Sequence, residues 1–475
     1  MGYPPFSSLR PSACPALSRI VAARDGGLCR IKLPGGKLLA MQAHAIADAA
    51  DVHGSGIVEL TNRANLQLRG VKAGGEATLS QRLSDAGLGP RVAATESHDP
   101  VQAARQAAVA DDARNLLLSP VAGLDADALY DTVPLADEIL GLLQSEPRLA
   151  ELSPKFSVLL DGGERLASLD HPHDVWFAAM PPAIRGGTEP RFAVGFAGQP
   201  SSTRSDALAA VRADDIVALI RALLVAFLDL AAPDENRMRD LLRSHDCHTV
   251  LARAAEKGSI DLQNDPEVGT WRRAAAEPIR RFGAYPQRDG GLWHVGGQPP
   301  LGRIDSATLR GLARLALEHG DGSLRFTPWQ SVLVPNVAAR AVPQVELGLC
   351  SLGFVLDPQD PLARVIACAG STGCVKALAD TKADALALAK QLPAGVEAHL
   401  SGCTRSCAAA HCAPYTLLAV APGRYDLYRR DHASDGETSS PARDGALRFG
   451  ERIDTYLTIE EAAKRLGEAA GAPIS

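Results

Sequence analysis

Apolar and polar positions fall into the same order twice along this chain. An Ala/Leu-rich run with helical period leads into a His-Gly-x-Gly turn, and alternating residues then read as strands, as in Ile57-Glu59-Thr61 and Leu66-Leu68. The segment Gly36 to Val71 aligns without a gap on Gly302 to Val337, an offset of 266 residues (302 − 36) throughout. Within it His53 meets His319, Gly54 meets Gly320, Gly56 meets Gly322 and Thr61 meets Thr327, and each copy follows an Asp-Gly-Gly-Leu, at Asp25 and Asp289. Chance convergence on shared turn chemistry is the alternative, but the ungapped identities favour a duplicated α+β module. Arg63 in the first copy faces Trp329 in the second. The halves therefore share a scaffold while one alone presents a cation there, which points to one functional site per chain.

Outside the repeat, Ile216 to Leu230 is the most apolar stretch, interrupted by Arg221 and Asp229. It is too short to span a bilayer and reads as a packed helix. A helical run lies near Ala377 to Leu392 and a strand-like run over Val396 to Leu400. The polar, Pro/Ser-rich stretch from His432 to Arg443 reads as a mobile insertion, and the first dozen residues as loose. A length of 475 residues suggests roughly three units, and 46% hydrophobic with 22% charged residues is ordinary for folded globular protein. With 49 Lys+Arg against 55 Asp+Glu the formal charge is -6, which argues against a general polyanion binder, so no nucleic-acid partner is expected. The N-terminal twenty residues hold no apolar run of signal-peptide length, so a cytoplasmic protein without a membrane partner is expected.

Nine cysteines are an odd number and a low density for a disulfide scaffold. Four are clustered, Cys368 and Cys374 as C-x5-C in "ACAGSTGCVKALAD" and Cys403 and Cys407 as C-x3-C in "LSGCTRSCAAAHC". An iron-sulfur cube needs four thiolates converging from different directions, and the small residues Ala369, Gly370, Ser371 and Gly373 let the first loop wrap closely. If helical, Cys403 and Cys407 would share one face. Structural zinc is the rival, but it favours pairs two to four residues apart, and the x5 loop fits it less well. Buried thiols packing as small hydrophobes are the other alternative. Cys412 is a spare neighbour, and Cys14, Cys29, Cys247 and Cys350 stand alone without an assigned role. Arg63, Arg69, Arg114 and Lys155 occupy strand-like or loop segments of the first half and could form a cationic pocket for carboxylates, with solvated surface charge as the alternative.

These residues resemble the siroheme-dependent nitrite/sulfite reductase superfamily, whose hallmark is the same cysteine pairing after a duplicated half-domain. "LTNRANLQLRG" looks like its Thr-x-Arg-x-x-x-Gln motif, "ARNLLLSPVAGLD" like its Arg-Asn segment and "SPKFSVLLDGG" like its Pro-x-Lys-Phe segment. Small size, "SACPALSRI", "DGGLCRIKLPGGKL" and "GRYDLY" look closer to its precorrin-3B synthase branch. Where sulfite reductases usually carry a second lysine after Lys155, this chain has Ser157.

The resemblance implies a duplicated α+β architecture with pseudo-twofold related halves. The expected division is a ferredoxin-like half-domain at 1-85, a first catalytic lobe at 86-275, a second half-domain at 276-345 and a 4Fe-4S-binding lobe at 346-475, with the cavity between the halves. It further implies a 4Fe-4S cluster on Cys368, Cys374, Cys403 and Cys407, and substrate contacts from Arg63, Arg69, Arg114 and Lys155. For the synthase branch the substrates would be precorrin-3A, a tetrapyrrole bearing many carboxylates, and dioxygen, with C20 hydroxylated and a γ-lactone closed. A mononuclear non-haem iron would activate oxygen; His171, His173, Asp174, His245, His248 and His411 are candidates, none of which the resemblance places as a ligand. No dinucleotide fingerprint is present, because Gly54-x-Gly56 lacks the third glycine, so electrons would come from a separate reductase. A siroheme-dependent nitrite or sulfite reductase is the alternative enzyme, and an iron-sulfur electron carrier or scaffold the alternative of another class.

Overall fold

The computed structural model describes residues 14–90, 100–182, 189–409, 413–430 and 449–471, and the side chains of 100–105 are outside the description. The expected insertion at 432–443, the loose first dozen residues, His411 and Cys412 lie outside the described residues. In chain order the first module runs β1 (Val21–Ala23), β2 (Gly26–Ile31), β3 (Lys37–Leu39), α1 (Ala40–His53), β4 (Ile57–Leu60), β5 (Leu66–Val71) and α2 (Glu76–Asp85). The first lobe follows with α3 (Pro100–Ala113), β6 (Leu116–Leu117), α4 (Val133–Ser145), β7 (Val158–Asp161), β8 (His173–Met180), β9 (Arg191–Gly198), β10 (Ala209–Arg212), α5 (Ile216–Leu230), α6 (Met238–Leu241), α7 (Cys247–Gly258) and α8 (Pro266–Thr270). The second module holds β11 (Gly283–Pro286), β12 (Leu292–Gly297), β13 (Arg303–Asp305), α9 (Ser306–His319), β14 (Ser323–Phe326), β15 (Val332–Ala338) and α10 (Val342–Ser351). The second lobe holds β16 (Val365–Ala367), α11 (Gly370–Gly373), α12 (Thr381–Ala389), β17 (Ala398–Ser401), β18 (Tyr415–Ala421), β19 (Arg424–Arg429), β20 (Glu451–Leu457) and α13 (Ile459–Gly471).

The sequence repeat is a structural repeat with the same offset. α1 and α9 bury Ala43, Ile46, Ala47 and Ala50 against Leu309, Leu312, Ala313 and Ala316, the same four helix positions in each copy and one apolar stripe at helical spacing. The two helices pack on one another over a common core. α9 starts on Asp305, whose carboxylate accepts the Thr308 N–H at 2.7 Å, satisfying one orphan donor of the first turn.

The modules also lend each other a strand. The first sheet is ordered β1-β2-β5-β4-β13 and the second β11-β12-β15-β14-β3. β13 pairs on β4 with Arg303 opposite Glu59, and β3 pairs on β14 with Lys37 opposite Arg325, the same register in both. The turn feeding β3 needs Gly36, at φ 69°, because a Cβ there would run into the Phe326 carbonyl of the other half.

The lobes repeat as well. One sheet is β10-β9-β8-β7-β6 and the other β16-β17-β18-β19-β20. In each, three parallel strands are followed by two antiparallel ones, a helix links the first two strands (α4, α12), and another follows the last (α5, α13). The fold is α+β, with duplicated halves related by a pseudo-twofold exchange. The apolar run Ile216–Leu230 is helix α5, which buries Leu219, Ile220, Leu223, Leu224 and Phe227 in the first lobe. Among the described residues no helix is long and apolar enough to cross a membrane.

Because the strand exchange ties the modules together, they should unfold as one. We expect Leu312→Ala, which empties a fully buried site, to cost about 2–5 kcal/mol and to lower hydrogen-exchange protection of β5 and β15 in parallel. Separate loss in β15 alone would contradict the shared core.

Candidate cluster site and cationic cavity

β16 and β17 are parallel neighbours, with Ala367 opposite Leu400. Cys368 follows the first strand directly and Cys403 follows the second by one residue, so both cysteine pairs leave the same end of the sheet. α11 occupies four residues between Cys368 and Cys374. Cys403 and Cys407 do not share a helical face: the segment is turn and irregular, and Ser406 sits at φ 53°, a left-handed conformation that no helix accommodates. The helical run read at 377–392 is shorter, as α12. Cys407 is exposed and the other three are half-buried.

Although Cys407 is exposed as a residue, partial desolvation of its sulfur raises the thiol above its ordinary value, and the neighbouring Cys403, Cys368 and Cys374 push the same way. Cys368 Sγ accepts the Gly402 N–H at 3.2 Å and lies 3.4 Å from Thr381 Oγ1. Among the described residues no three His, Cys, Asp or Glu side chains gather about one point as a single ion requires. A zinc tetrahedron would draw its sulfurs to about 2.3 Å from one ion. In a cube each iron takes one thiolate, so the sulfurs stay spread around the group. Two cysteine pairs leaving one end of the sheet, with the Gly402 N–H aimed at the Cys368 sulfur, supply the four thiol donors that a 4Fe-4S cluster takes.

The first module grips this loop. Arg69 of β5 is 4% exposed; its Nε and Nη2 hold Asp25 at 2.7 and 2.9 Å, Nη1 lies 3.4 Å from Glu59, and Nη2 donates to the Gly373 carbonyl at 2.6 Å. Arg24 donates to the Ser371 carbonyl at 2.8 Å. Expected as a substrate cation, Arg69 is instead occupied, because a buried guanidinium requires its partners close. Glu59 also accepts from Arg303 Nη2 at 2.7 Å and lies 3.9 Å from Lys382 Nζ, whose own bonds go to the Leu301 and Ala367 carbonyls. Burial alone would raise the Glu59 carboxyl, but Lys382, Arg69 and Arg303 hold it below the usual range.

A second cationic group faces the first lobe. Arg63 and Arg114 line one narrow cleft together with Asn65, Asn115, Gly35 and, from the second module, Pro328. Arg63 Nη1 lies 3.5 Å from Asn115 Oδ1, while Arg114 donates to the Lys32 and Leu88 carbonyls at 2.8 and 3.1 Å. Burial, then Arg237 and Arg30, bring the Arg63 pKa down to about 10. Lys155 is exposed on the loop before β7 and lies outside the pocket lining. Sequence reasoning missed Arg30 and Arg237. Arg30 lies outside the ungapped block, and only the strand registers, Arg30 opposite Gln67 and Gly296 opposite Leu333, show that its counterpart in the second copy is a glycine.

The histidine candidates do not assemble a metal site among the described residues. Asp174 is taken by Arg237 Nε at 2.9 Å and by the Ser157 and Met238 N–H groups, each at 2.9 Å. His173 is 1% exposed beside His171, and neither of its ring nitrogens has a hydrogen-bond partner. His245 Nδ1 lies 3.0 Å from Ser244 Oγ.

Comparison with known proteins decides the family. The description "Nitrite/Sulfite reductase ferredoxin-like half domain" fits residues 22–86 and 285–351, the two strand-exchanging modules. "Nitrite and sulphite reductase 4Fe-4S domain" fits residues 109–259. A ferredoxin–nitrite reductase from Synechococcus elongatus is 31% identical over 417 residues, 83% of this chain and 76% of that protein. The chain belongs to the nitrite/sulfite reductase family. The chloroplastic ferredoxin–nitrite reductase of Oryza sativa subsp. japonica is 30% identical over 80% of this chain, which spans 64% of the rice protein. A precorrin-3B synthase from Sinorhizobium sp. is 26% identical over 98% of this chain and 94% of that protein. The solved structure of the Mycobacterium tuberculosis NirA protein superposes with TM-score 0.71 at 19% identity, covering 94% of this chain and 80% of that one. Within the family, the fitted 4Fe-4S span holds only Cys247; the four clustered cysteines fall in the second lobe, which repeats that span's strand order.

Two buried imidazoles give a pH dependence. Burial brings His294 from 6.5 down to about 4, and burial with His171, Arg63 and Arg237 holds His173 well below 6.5. Below pH 6.5 the unfolded chain protonates these rings while the folded chain does not, so stability falls as pH drops from about 6.5 toward about 4. We expect the urea midpoint to fall over that window and His294→Gln to flatten the fall; an equal slope in the variant would contradict it.

Proposed function

We propose that this chain is an iron-sulfur oxidoreductase acting on a tetrapyrrole, a precorrin-3B synthase that converts precorrin-3A to precorrin-3B. The observation that carries the reading is the end-to-end match with the Sinorhizobium synthase, 98% of this chain on 94% of that one, whereas the chain spans 64% of the rice nitrite reductase. Ser157, standing in the motif where a second lysine is usual, agrees with it. The higher identity to nitrite reductases, 30–31%, favours a siroheme-dependent reductase as the second reading.

In the proposed reaction one atom of dioxygen hydroxylates C20 of the macrocycle, the other leaves as water, and a ring acetate closes the γ-lactone. A cluster on Cys368, Cys374, Cys403 and Cys407 would pass electrons singly from a separate reductase. Arg63 would orient a carboxylate of the macrocycle, for which a guanidinium fork is suited; Arg114, bonded to the Lys32 and Leu88 carbonyls, would shape the lining beside it, and the exposed Lys155 would meet only a carboxylate reaching outside that lining. Asn115, bonded to the Phe156 carbonyl at 2.7 Å, would steady Arg63. The expected mononuclear iron finds no ligand set among the described residues. The division at 1-85, 86-275, 276-345 and 346-475 and a reducing, cytoplasmic setting belong to the same proposal.

The test is an absorption spectrum of anaerobically purified protein, with iron, acid-labile sulfide and extractable tetrapyrrole assayed on one sample. Iron and sulfide without siroheme, and turnover of precorrin-3A, are expected. Siroheme near one per chain would move the assignment to the reductase reading, and absence of iron and sulfide would defeat both. Arg63→Ala should weaken binding of a carboxylated tetrapyrrole about 10- to 100-fold, the loss of a charged hydrogen bond of about 1.5–3 kcal/mol; titration by fluorescence quenching measures it.

A further inference from the structure

We infer that Arg69, with Lys382 behind it, positions and electrostatically tunes the iron-sulfur group rather than the substrate. The inference rests on the proposed cluster. Arg69 reaches the cysteine loop from the opposite module: Nη2 donates to the carbonyl of Gly373, the residue before Cys374, and its charge lies near that thiol. The contact is close enough that a Cβ on Gly373 would collide with the guanidinium, so the loop is shaped around this cation. Lys382 approaches from the other side, 8% exposed, donating to the Ala367 carbonyl one residue before Cys368 and lying within electrostatic reach of that thiol.

One buried carboxylate links the two cations, while Asp25 holds Arg69 from its other edge at 2.7 and 2.9 Å. Glu59 lies 3.4 Å from Arg69 and 3.9 Å from Lys382, and Arg303 completes its shell at 2.7 Å. Arg69, Arg303 and Lys382 outnumber the carboxylates Asp25 and Glu59 that hold them, and four thiolates around an iron-sulfur core present negative charge that offsets the surplus. Adding an electron to such a group makes its charge more negative, and nearby buried cations favour the added charge. The potential of a cluster depends on net charge, hydrogen bonding to sulfur and exposure. Removing the Arg69 charge therefore disfavours the reduced form and drives the midpoint negative.

Arg69→Gln, Arg69→Lys and Gly373→Ala should be prepared as the full chain, anaerobically, and titrated potentiometrically with EPR detection alongside iron and sulfide assays. The expected result is a more negative midpoint in Arg69→Gln, a smaller shift in Arg69→Lys, which keeps the charge, and a negative shift in Gly373→Ala, which displaces the guanidinium without removing it. If Arg69→Gln does not fold, the other two carry the comparison. Clusters that titrate at the wild-type midpoint, whatever their occupancy, would reduce Arg69 to a structural pin and overturn the inference alone. A wild-type chain that holds no cluster would instead defeat the reading beneath it.

Discussion

The exchange of β3 and β13 between modules is the constraint on which the rest of the molecule hangs. Each is three residues long, too short to hold a position by itself, and each completes the sheet of the other half in the same register. Neither module can close its sheet alone. The residues leading into the borrowed strands are consequently drawn to the boundary between halves: Gly36 lies against Phe326, and Arg303 against Glu59. The Arg69–Glu59–Arg303 cluster and its contact with the Gly373 carbonyl sit at that boundary.

Duplication makes two equivalent frames, and charge makes them unequal. Arg30, Arg63 and Arg69 have Gly296, Trp329 and Pro335 as their counterparts, so cations cluster on one side of the pseudo-twofold. The thiols show the complementary bias, all four lying in the second lobe after β16 and β17. A symmetric scaffold with unequal occupants yields one site rather than two. Glu59 balances the arrangement, since it is the carboxylate shared by Arg69, Arg303 and Lys382.

The repeat was legible in sequence because strands and helix keep their offset without insertions, and the buried stripes of α1 and α9 occupy matching positions. The cysteine pairs stood out in the sequence because four thiols fall in two short spacings in a chain with few cysteines. The exchange was not legible: "KLL" and "RID" are too short to show which sheet they join. Nor was the repetition of the lobes, which persists in strand order rather than in residues. The shared face that Cys403 and Cys407 would have if helical is not formed, because the segment is turn and irregular with Ser406 in a left-handed conformation that no periodicity reveals. Arg69 looked like a pocket cation because its partners Asp25, Glu59 and Gly373 meet only in the folded chain.

That last residue shows why a cation count is a poor guide to a binding site. Arg69 and Arg114 spend their donors on protein groups, and the partners are backbone carbonyls or buried carboxylates rather than solvent. Arg63 has one long contact, at 3.5 Å, and lies within the fields of Arg30 and Arg237 that depress its pKa. A buried guanidinium short of hydrogen bonds and repelled by its neighbours is unstable unless an anion arrives, whereas one already paired gains little from a ligand. The distinction between holding the protein and holding the substrate is therefore drawn by unmet hydrogen-bonding capacity, and by that measure Arg63, with its one long contact, and Arg30, whose Nε has no hydrogen-bond partner, are the first-half cations that call for a ligand.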